Sequence, residues 1–416
     1  MSNVSPYRRA RALARRMLDE LSLPAAARSE RARDRRGVPS HDPGIPAVLE
    51  AATDWLCLAQ DRSASADGGV ARDYSLLNGW ATSYPETTGY IIPTMFDMAD
   101  HLGRPDLRDR AARMLDWFVA IQLADGAYQG GRIDSVPVRP TTFNTGQILL
   151  GLARGVVELG DGYRDACTRA AQWLADTLDE DGCWRRFGSP FTAPGEKAYE
   201  THVSWGLFEA ARALDRTDLG EAGLRQVRWA LTKQRSNGWF DDCCLSTPDR
   251  PLTHTIGYVL RGILEAHRYS GDSDFLEAAL LTARNLVRCV DADGRLPAQL
   301  DASWNAAAPH VCLTGSVQNA HCLLMLHAQT GEAGFLETAQ RLNRYVRRTV
   351  RLDGPPETRG AVKGSFPVDG TYGRYEYLNW AAKFFIDANL VELRLHEAVG
   401  ASPAGGEAEM RPRRSA

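Results

Sequence analysis

No run in the 416 residues is long and apolar enough to cross a membrane, and the arginines of Met1 to Leu21 are not followed by an apolar leader core. Neither a membrane span nor a secretory signal is expected, so the expected compartment is the cytoplasm. Surplus charge of one sign is also missing: 49 Lys and Arg stand against 52 Asp and Glu, a net charge of −3. That leaves no electrostatic argument for nucleic acid as a partner. Eight cysteines (Cys57, Cys167, Cys183, Cys243, Cys244, Cys289, Cys312 and Cys322) are scattered without a paired framework, and Cys-x-x-Cys does not occur. A chain of this size does not depend on disulfides, so reduced thiols are expected. Strand alternation is confined to short pieces around turns. With 44% hydrophobic residues the chain still has ample material for a core.

What is present is a period. Asp-Gly or Asn-Gly recurs at Asp125, Asp181, Asn237, Asp293 and Asp353, at spacings of 56, 56, 56 and 60 residues, with Asn78-Gly79-Trp80 as a divergent first copy. Glycine supplies the positive φ of the turn, and an aromatic foot such as Tyr128, Trp184 or Trp239 follows it. A fixed period of this length marks a repeat architecture.

Two kinds of helix alternate between the turns. Amphipathic ones are expected over Ala47–Gln60, Leu107–Gln122, Arg164–Leu178, Gly220–Gln234, Phe275–Val290 and Phe335–Val350. Helices that are apolar or small nearly all round are expected over Glu86–Met98, Asn144–Val157, Glu200–Ala213, Thr253–His267, Ser316–Gln329 and Tyr377–Leu393. The second kind has no broad charged face and must be buried. Six hairpins, each with one buried helix, give an all-α fold: an (α/α)6 toroid with an inner and an outer ring, and short hairpins or turns in the outer-to-inner loops. An open array of helix pairs would need an amphipathic face on its inner helices. The domain layout that follows is a basic extension over 1–40, the toroid over 41–398 and a disordered tail over 399–416. Within the extension, Pro6 to Leu23 reads as an amphipathic helix and Arg28 to Arg36 as a solvated, flexible charge run.

The inner-to-outer links are short and the outer-to-inner links long, so function is expected on the long side, where six inner-helix N-termini converge. The first turns there carry carboxylates at Glu86, Glu200 and Glu376 and imidazoles at His202 and His254, the expected catalytic groups. Expected substrate contacts are the rings of Trp80, Tyr90, Trp205, Tyr258, Tyr377 and Trp380, the amides of Asn144, Gln147, Gln318, Asn319 and Asn379, and Lys383. Rings stack on pyranose faces, amides bond hydroxyls, and paired carboxyls perform acid–base or nucleophilic work. Thr, Glu and Asn at helix starts are also ordinary capping residues, and a single histidine is more often a satisfied buried one. It is the recurrence at successive helix starts that points to a cavity.

The six repeats, the Asp-Gly turns and the loaded helix starts resemble the six-hairpin toroids of glycoside hydrolases, polysaccharide lyases and sugar epimerases, over roughly residues 45–395. The resemblance implies glycosidic bond cleavage, by hydrolysis or β-elimination, or uronate modification, with no cofactor. In the unsaturated glucuronyl hydrolases of this architecture aspartates do the work; here the best-placed acids are glutamates. The lyases pair a tyrosine with histidine and asparagine. Gln122-x-x-x-Gly126-x-Tyr128 and Gln234-x-x-x-Gly238-x-Phe240 are similar to the glutamine–aromatic brace of terpene cyclases and prenyltransferases, whose Asp-x-Asp-Asp acid motif is absent apart from Asp241-Asp242. Asp241-x-Cys243 also resembles the zinc pair of protein prenyltransferases, with His254, His310, Cys312, His321 or Cys322 as distant partners. Free cysteine is commonly just a small buried hydrophobe, and no metal is assigned. A terpenoid- or peptide-modifying toroid and a non-catalytic binding scaffold are the alternatives.

Overall fold

The computed structural model describes residues 22–401. The helix expected over Pro6 to Leu23 falls almost wholly outside them, as does the tail from Ser402. The inner helices are α3 (Pro85–Leu102), α5 (Thr142–Leu159), α7 (Thr201–Leu214), α9 (Thr253–Ser270), α11 (Leu313–Thr330) and α13 (Asn379–Ala401). The outer ones are α2 (Ile45–Asp61), α4 (Asp106–Ile121), α6 (Arg164–Thr177), α8 (Thr217–Leu231), α10 (Ser273–Val287) and α12 (Ala333–Arg347). Each inner helix packs on the next, and α13 packs on α3, so the ring is closed. Glycines bring the inner helices together: a Cβ at Gly151 would lie 2.4 Å from the Gly89 carbonyl, and one at Gly206 2.4 Å from that of Gly146. Among the described residues no helix is long and apolar enough to cross a membrane.

The turns tie the outer ring. A Cβ at Gly126, Gly182, Gly238 or Gly294 would meet the carbonyl of Arg169, Arg225, Leu281 or Arg341, each on the next outer helix, at 2.1–2.7 Å. Two members of the series differ from the expected period. The first copy is Asp67-Gly68, with its Cβ position 3.4 Å from the Arg113 carbonyl, while a Cβ at Gly79 would touch nothing and Gly79 pairs with Ser75 at the base of a hairpin turn. The last contact, which closes the ring onto α2, is made by Gly360 against Ala51 rather than by Gly354. The glutamines brace the same joints: Gln122 Nε2 donates to the Gly126 and Ala166 carbonyls, both at 2.9 Å, and Gln234 Nε2 donates to the Ala278 carbonyl at 2.8 Å.

Two of the aromatic feet anchor their turns to the preceding outer helix. Tyr128 Oη donates to the Phe118 carbonyl at 3.1 Å, and Trp184 Nε1 to that of Leu174 at 3.0 Å. Trp184 is 3% exposed, so Trp184→Ala is expected to cost about 3 kcal/mol in a denaturation experiment. An unchanged melting temperature would show that the ring does not brace the turn.

At the Asp-Gly turns only isolated bridges occur, Gln234 with Phe240 and Arg351 with Arg359, and the strands proper lie elsewhere. β1 (Asp73–Ser75) pairs antiparallel with β2 (Gly79–Trp80) and with β5 (Glu376–Leu378), while β3 (Val311–Cys312) pairs with β4 (Ser365–Phe366). The first sheet sews the segment before α3 to the segment before α13, across the seam. Tyr377 therefore lies on a strand, and α13 begins two residues later.

The charge run over Arg28–Arg36 is not a solvated tail. Residues Ala25–Asp34 form helix α1, whose Glu30 and Asp34 are buried against Lys363, with Lys363 Nζ 2.9 Å and 2.6 Å from their carboxylates. Asp34 also accepts from the Val368 amide at 2.8 Å. Three charges taken out of water are tolerable only because they satisfy one another.

Candidate active site

The N-termini of the inner helices open onto a cavity of about 250 Å³. Of the expected residues, Glu86, Tyr90, His254, Tyr258 and Trp380 line it. Arg72, Tyr84, Phe143, Tyr199 and Tyr372 complete its walls, and the loop bearing Ser189, Phe191 and Thr192 forms part of its rim.

Glu86 sits in the first turn of α3 behind Pro85, whose ring fixes φ where the helix has no use for an N–H. Tyr84 Oη donates to Glu86 Oε2 at 3.1 Å. Burial pushes the Glu86 carboxyl up to about 7, against the opposing pull of the Tyr84 hydroxyl and the Arg72 charge. The site therefore holds a carboxyl that gives up its proton near neutral pH. Arg72 makes its two ion pairs, to Asp73 at 2.5 Å and to Glu376 at 3.0 Å, through Nη1 alone. Its guanidinium lies 5.2 Å from the centre of the Trp380 ring, and its other nitrogens have no hydrogen-bond partner given among the described residues.

His254 is buried and its Nδ1 lies 2.5 Å from Gln318 Oε1, which as a carbonyl oxygen must accept. Nδ1 then carries the proton and Nε2 a lone pair. Burial lowers the imidazole to about 4, keeping it neutral. Its ring is 4.4 Å from Tyr258 and 5.4 Å from Tyr372. Burial raises the phenols of Tyr90, Tyr258 and Tyr372 well above their ordinary value, so each stays a hydrogen-bond donor.

The other expected residues lie elsewhere. Glu200 is 4% exposed and outside the lining; burial raises its carboxyl to about 8, and Oε2 has no partner among the described residues. Glu376 stands behind Arg72 on β5. His202, with Nδ1 2.7 Å from Gln147 Oε1, is packed under the floor 4.5 Å from the Tyr258 ring. Asn319 and Asn379 give their amides to the Thr253 and Ala71 carbonyls, both at 2.9 Å, and Asn144 is buried with no side-chain partner among the described residues. Trp80 packs on Trp55 and Tyr74, and Tyr377 is buried in the strand. Trp205 and Lys383 line a different cavity. Sequence reasoning missed Arg72 and Tyr372, which come from loops with no periodic signal.

Among the described residues no group of three or more His, Cys, Asp or Glu side chains could hold a metal ion. Asp241 is tied to Arg235 at 2.6 Å, and burial pushes the thiols of Cys243, Cys312 and Cys322 up to about 12. Among the described residues the side chains that the zinc resemblance would need do not come together.

No protein-family profile and no curated protein matches the chain. Solved structures do. One is an unsaturated glucuronyl hydrolase specific for heparin, at 15% identity and TM-score 0.69, covering 86% of this chain and 99% of that one. Another is the unsaturated glucuronyl hydrolase of Bacillus sp. GL1, responsible for the degradation of glycosaminoglycan, at 17% identity and TM-score 0.66, covering 86% and 98%. A third is the cellobiose 2-epimerase of Bacillus thermoamylovorans B4167, at 14% identity and TM-score 0.64, covering 84% and 98%. At these identities the likeness establishes the (α/α)6 fold.

Proposed function

We propose that the protein is a carbohydrate-active enzyme that breaks a glycosidic bond beside a uronate, with Glu86 as its acid–base group. The observation that carries this reading is one carboxyl, held near neutral ionisation in an aromatic cavity, beside the Arg72 guanidinium. The guanidinium fork matches a carboxylate, and two of the structures quoted above are glucuronyl hydrolases. The rings of Trp380, Tyr258 and Tyr372 offer faces and hydroxyls to a sugar.

Glu86 is the single carboxyl among the described lining residues. A glycosidase of the two-carboxylate kind places its second acid about 5–10 Å from the first, and Glu200 and Glu376 stand outside the cavity. Two routes need only one acid. In the first, Glu86 protonates the double bond of an unsaturated uronate, water adds and returns a proton to Glu86, and the hemiketal so formed opens to a ketone whose C1 hemiacetal releases the other sugar. In the second, neutral His254 removes the proton next to the uronate carboxylate and the bond is lost by β-elimination, with Glu86 protonating the leaving oxygen. Eight free cysteines, seven of them buried, suit a reducing compartment, and we place the enzyme in the cytoplasm.

Incubating the protein with saturated and unsaturated uronate oligosaccharides separates these routes. Loss of the unsaturated-uronate absorbance identifies water addition, and its appearance identifies elimination. No change with either class would overturn the proposal. Arg72→Gln is expected to raise KM for a carboxylated sugar by about ten- to a hundredfold, the worth of a charge-assisted hydrogen bond. An equal effect on an uncharged disaccharide would show that Arg72 acts by holding Glu376 and Asp73, not by binding substrate.

A further inference from the structure

A second cavity lies where the inner helices run toward their C-termini, on the face opposite Glu86. It measures about 740 Å³, within the range of small-molecule sites. One layer of side chains divides it from the front cavity: Lys383, which lines the rear, places Nζ 5.4 Å from the ring of Tyr90, which lines the front.

Charge is unevenly spread around its wall. Arg154 is matched by Asp97 and Glu158 at 3.0 and 2.9 Å, Arg212 by Glu209 at 2.9 Å, and Lys383 by Asp387. On the α9 side two guanidiniums share one carboxylate. Arg261 Nε donates to Glu265 at 2.7 Å and Arg268 Nη1 to the same carboxylate at 2.9 Å, and Glu265 is fully buried behind them. The Arg261 Cζ lies over the Trp205 ring, 3.9 Å from its centre, with Nη1 3.3 Å from His321 Nε2. Arg261, Arg268 and His321 also line an adjoining cavity of about 250 Å³, so both faces of this wall are open.

Compensation of the helix dipole does not account for Arg261. The dipole effect fades within the last turn, and Arg261 stands nine residues before the end of α9, about 13 Å upstream. Burial and the Arg261 and Lys383 charges hold His202 and His321 far below their ordinary range, and Lys383 is lowered by burial with Arg261 opposing its charge.

We propose that the rear cavity is a second ligand site, which takes a sugar-sized molecule through a phosphate or sulfate ester seated on Arg261 and Arg268. Planar guanidiniums with a shared counter-charge are suited to a tetrahedral oxyanion. The cavity is too large for that ion alone, and Asp97 and Glu209 on its wall would accept from sugar hydroxyls.

Calorimetric titration of the full chain tests this, with hexose 6-phosphate, hexose 6-sulfate, inorganic phosphate and the plain hexose as separate arms. Saturable binding of either ester is expected, the tighter one assigning the group. The Arg268 side chain is 53% exposed, so Arg268→Ala should fold normally, and it is expected to weaken ester binding at least about tenfold. Arg72→Gln, in the front cavity, is expected to leave it unchanged. Inorganic phosphate binding as tightly as the esters would overturn the sugar-sized ligand, and the plain hexose doing so would overturn the anion seat. No saturable heat in any arm, or binding lost with Arg72→Gln and kept with Arg268→Ala, would overturn the site while leaving the front-cavity reading untouched.

Discussion

Glu86→Gln is expected to lower turnover by at least about a hundredfold while substrate binding persists, because the amide keeps the shape of the side chain and cannot cycle a proton. The variant retains an acceptor for Tyr84 Oη, so the local geometry should survive. Single-turnover kinetics with whichever uronate class the incubation finds to react would measure the loss, and near-normal turnover would rule out Glu86. The pH profile gives a second readout. With the carboxyl near 7, the protonated form predominates below that pH, so a step that uses Glu86 as acid should slow as pH rises through about 7. Stability should move as well. The folded carboxyl holds its proton to higher pH than the unfolded one, whose ordinary value is 4.5. Between those values the native state binds more protons, so the contribution of Glu86 to stability falls as pH rises from about 4.5 to about 7. Glu86→Gln should lose that slope. A variant with the parental dependence of melting temperature on pH would mean that Glu86 does not ionise in this way.

The ring was legible because its signals are local and repeated. The Asp-Gly turns, the aromatic feet and the alternation of amphipathic with all-apolar helices are each properties of short windows, and six copies reinforce one another. Glu86 was legible for the same reason, since Pro85 and the polar first turn sit together in sequence. What escaped is non-local. Arg72 faces the cavity because β1 pairs with β5, some 300 residues away, and strands of two or three residues are too short to show a period of two. Glu30 and Asp34 read as a solvated charge run because their partner, Lys363, is invisible from their own segment. Four of the five amides at the helix starts are engaged by the protein itself. Asn319 and Asn379 bond backbone carbonyls of neighbouring segments, while Gln147 and Gln318 orient histidines. Composition at a helix start does not say whether a side chain turns toward the axis or toward the next helix.

The same distinction decides which glycine closes the ring, and it yields the largest expected effect on stability. The sequence period points to Gly354, the partner of Asp353, but the structure puts the close approach at Gly360. Both have positive φ, +88° and +76°. A Cβ at Gly354 would meet only the far end of the Arg351 side chain, a flexible group and not backbone. A Cβ at Gly360 would lie 2.0 Å from the Ala51 carbonyl, in the backbone of α2, which cannot yield without opening the joint between the last turn and the first outer helix. Gly360→Ala therefore combines the left-handed penalty of about 1–2 kcal/mol with an overlap costing about 1–3 kcal/mol, so a loss of about 2–5 kcal/mol is expected. Gly354→Ala should show little beyond the first of these. Urea denaturation of the two variants in parallel measures the difference. Equal losses would mean that α2 is not clamped by this turn, and that the seam is held by the β1–β5 pairing and the α13–α3 contact alone.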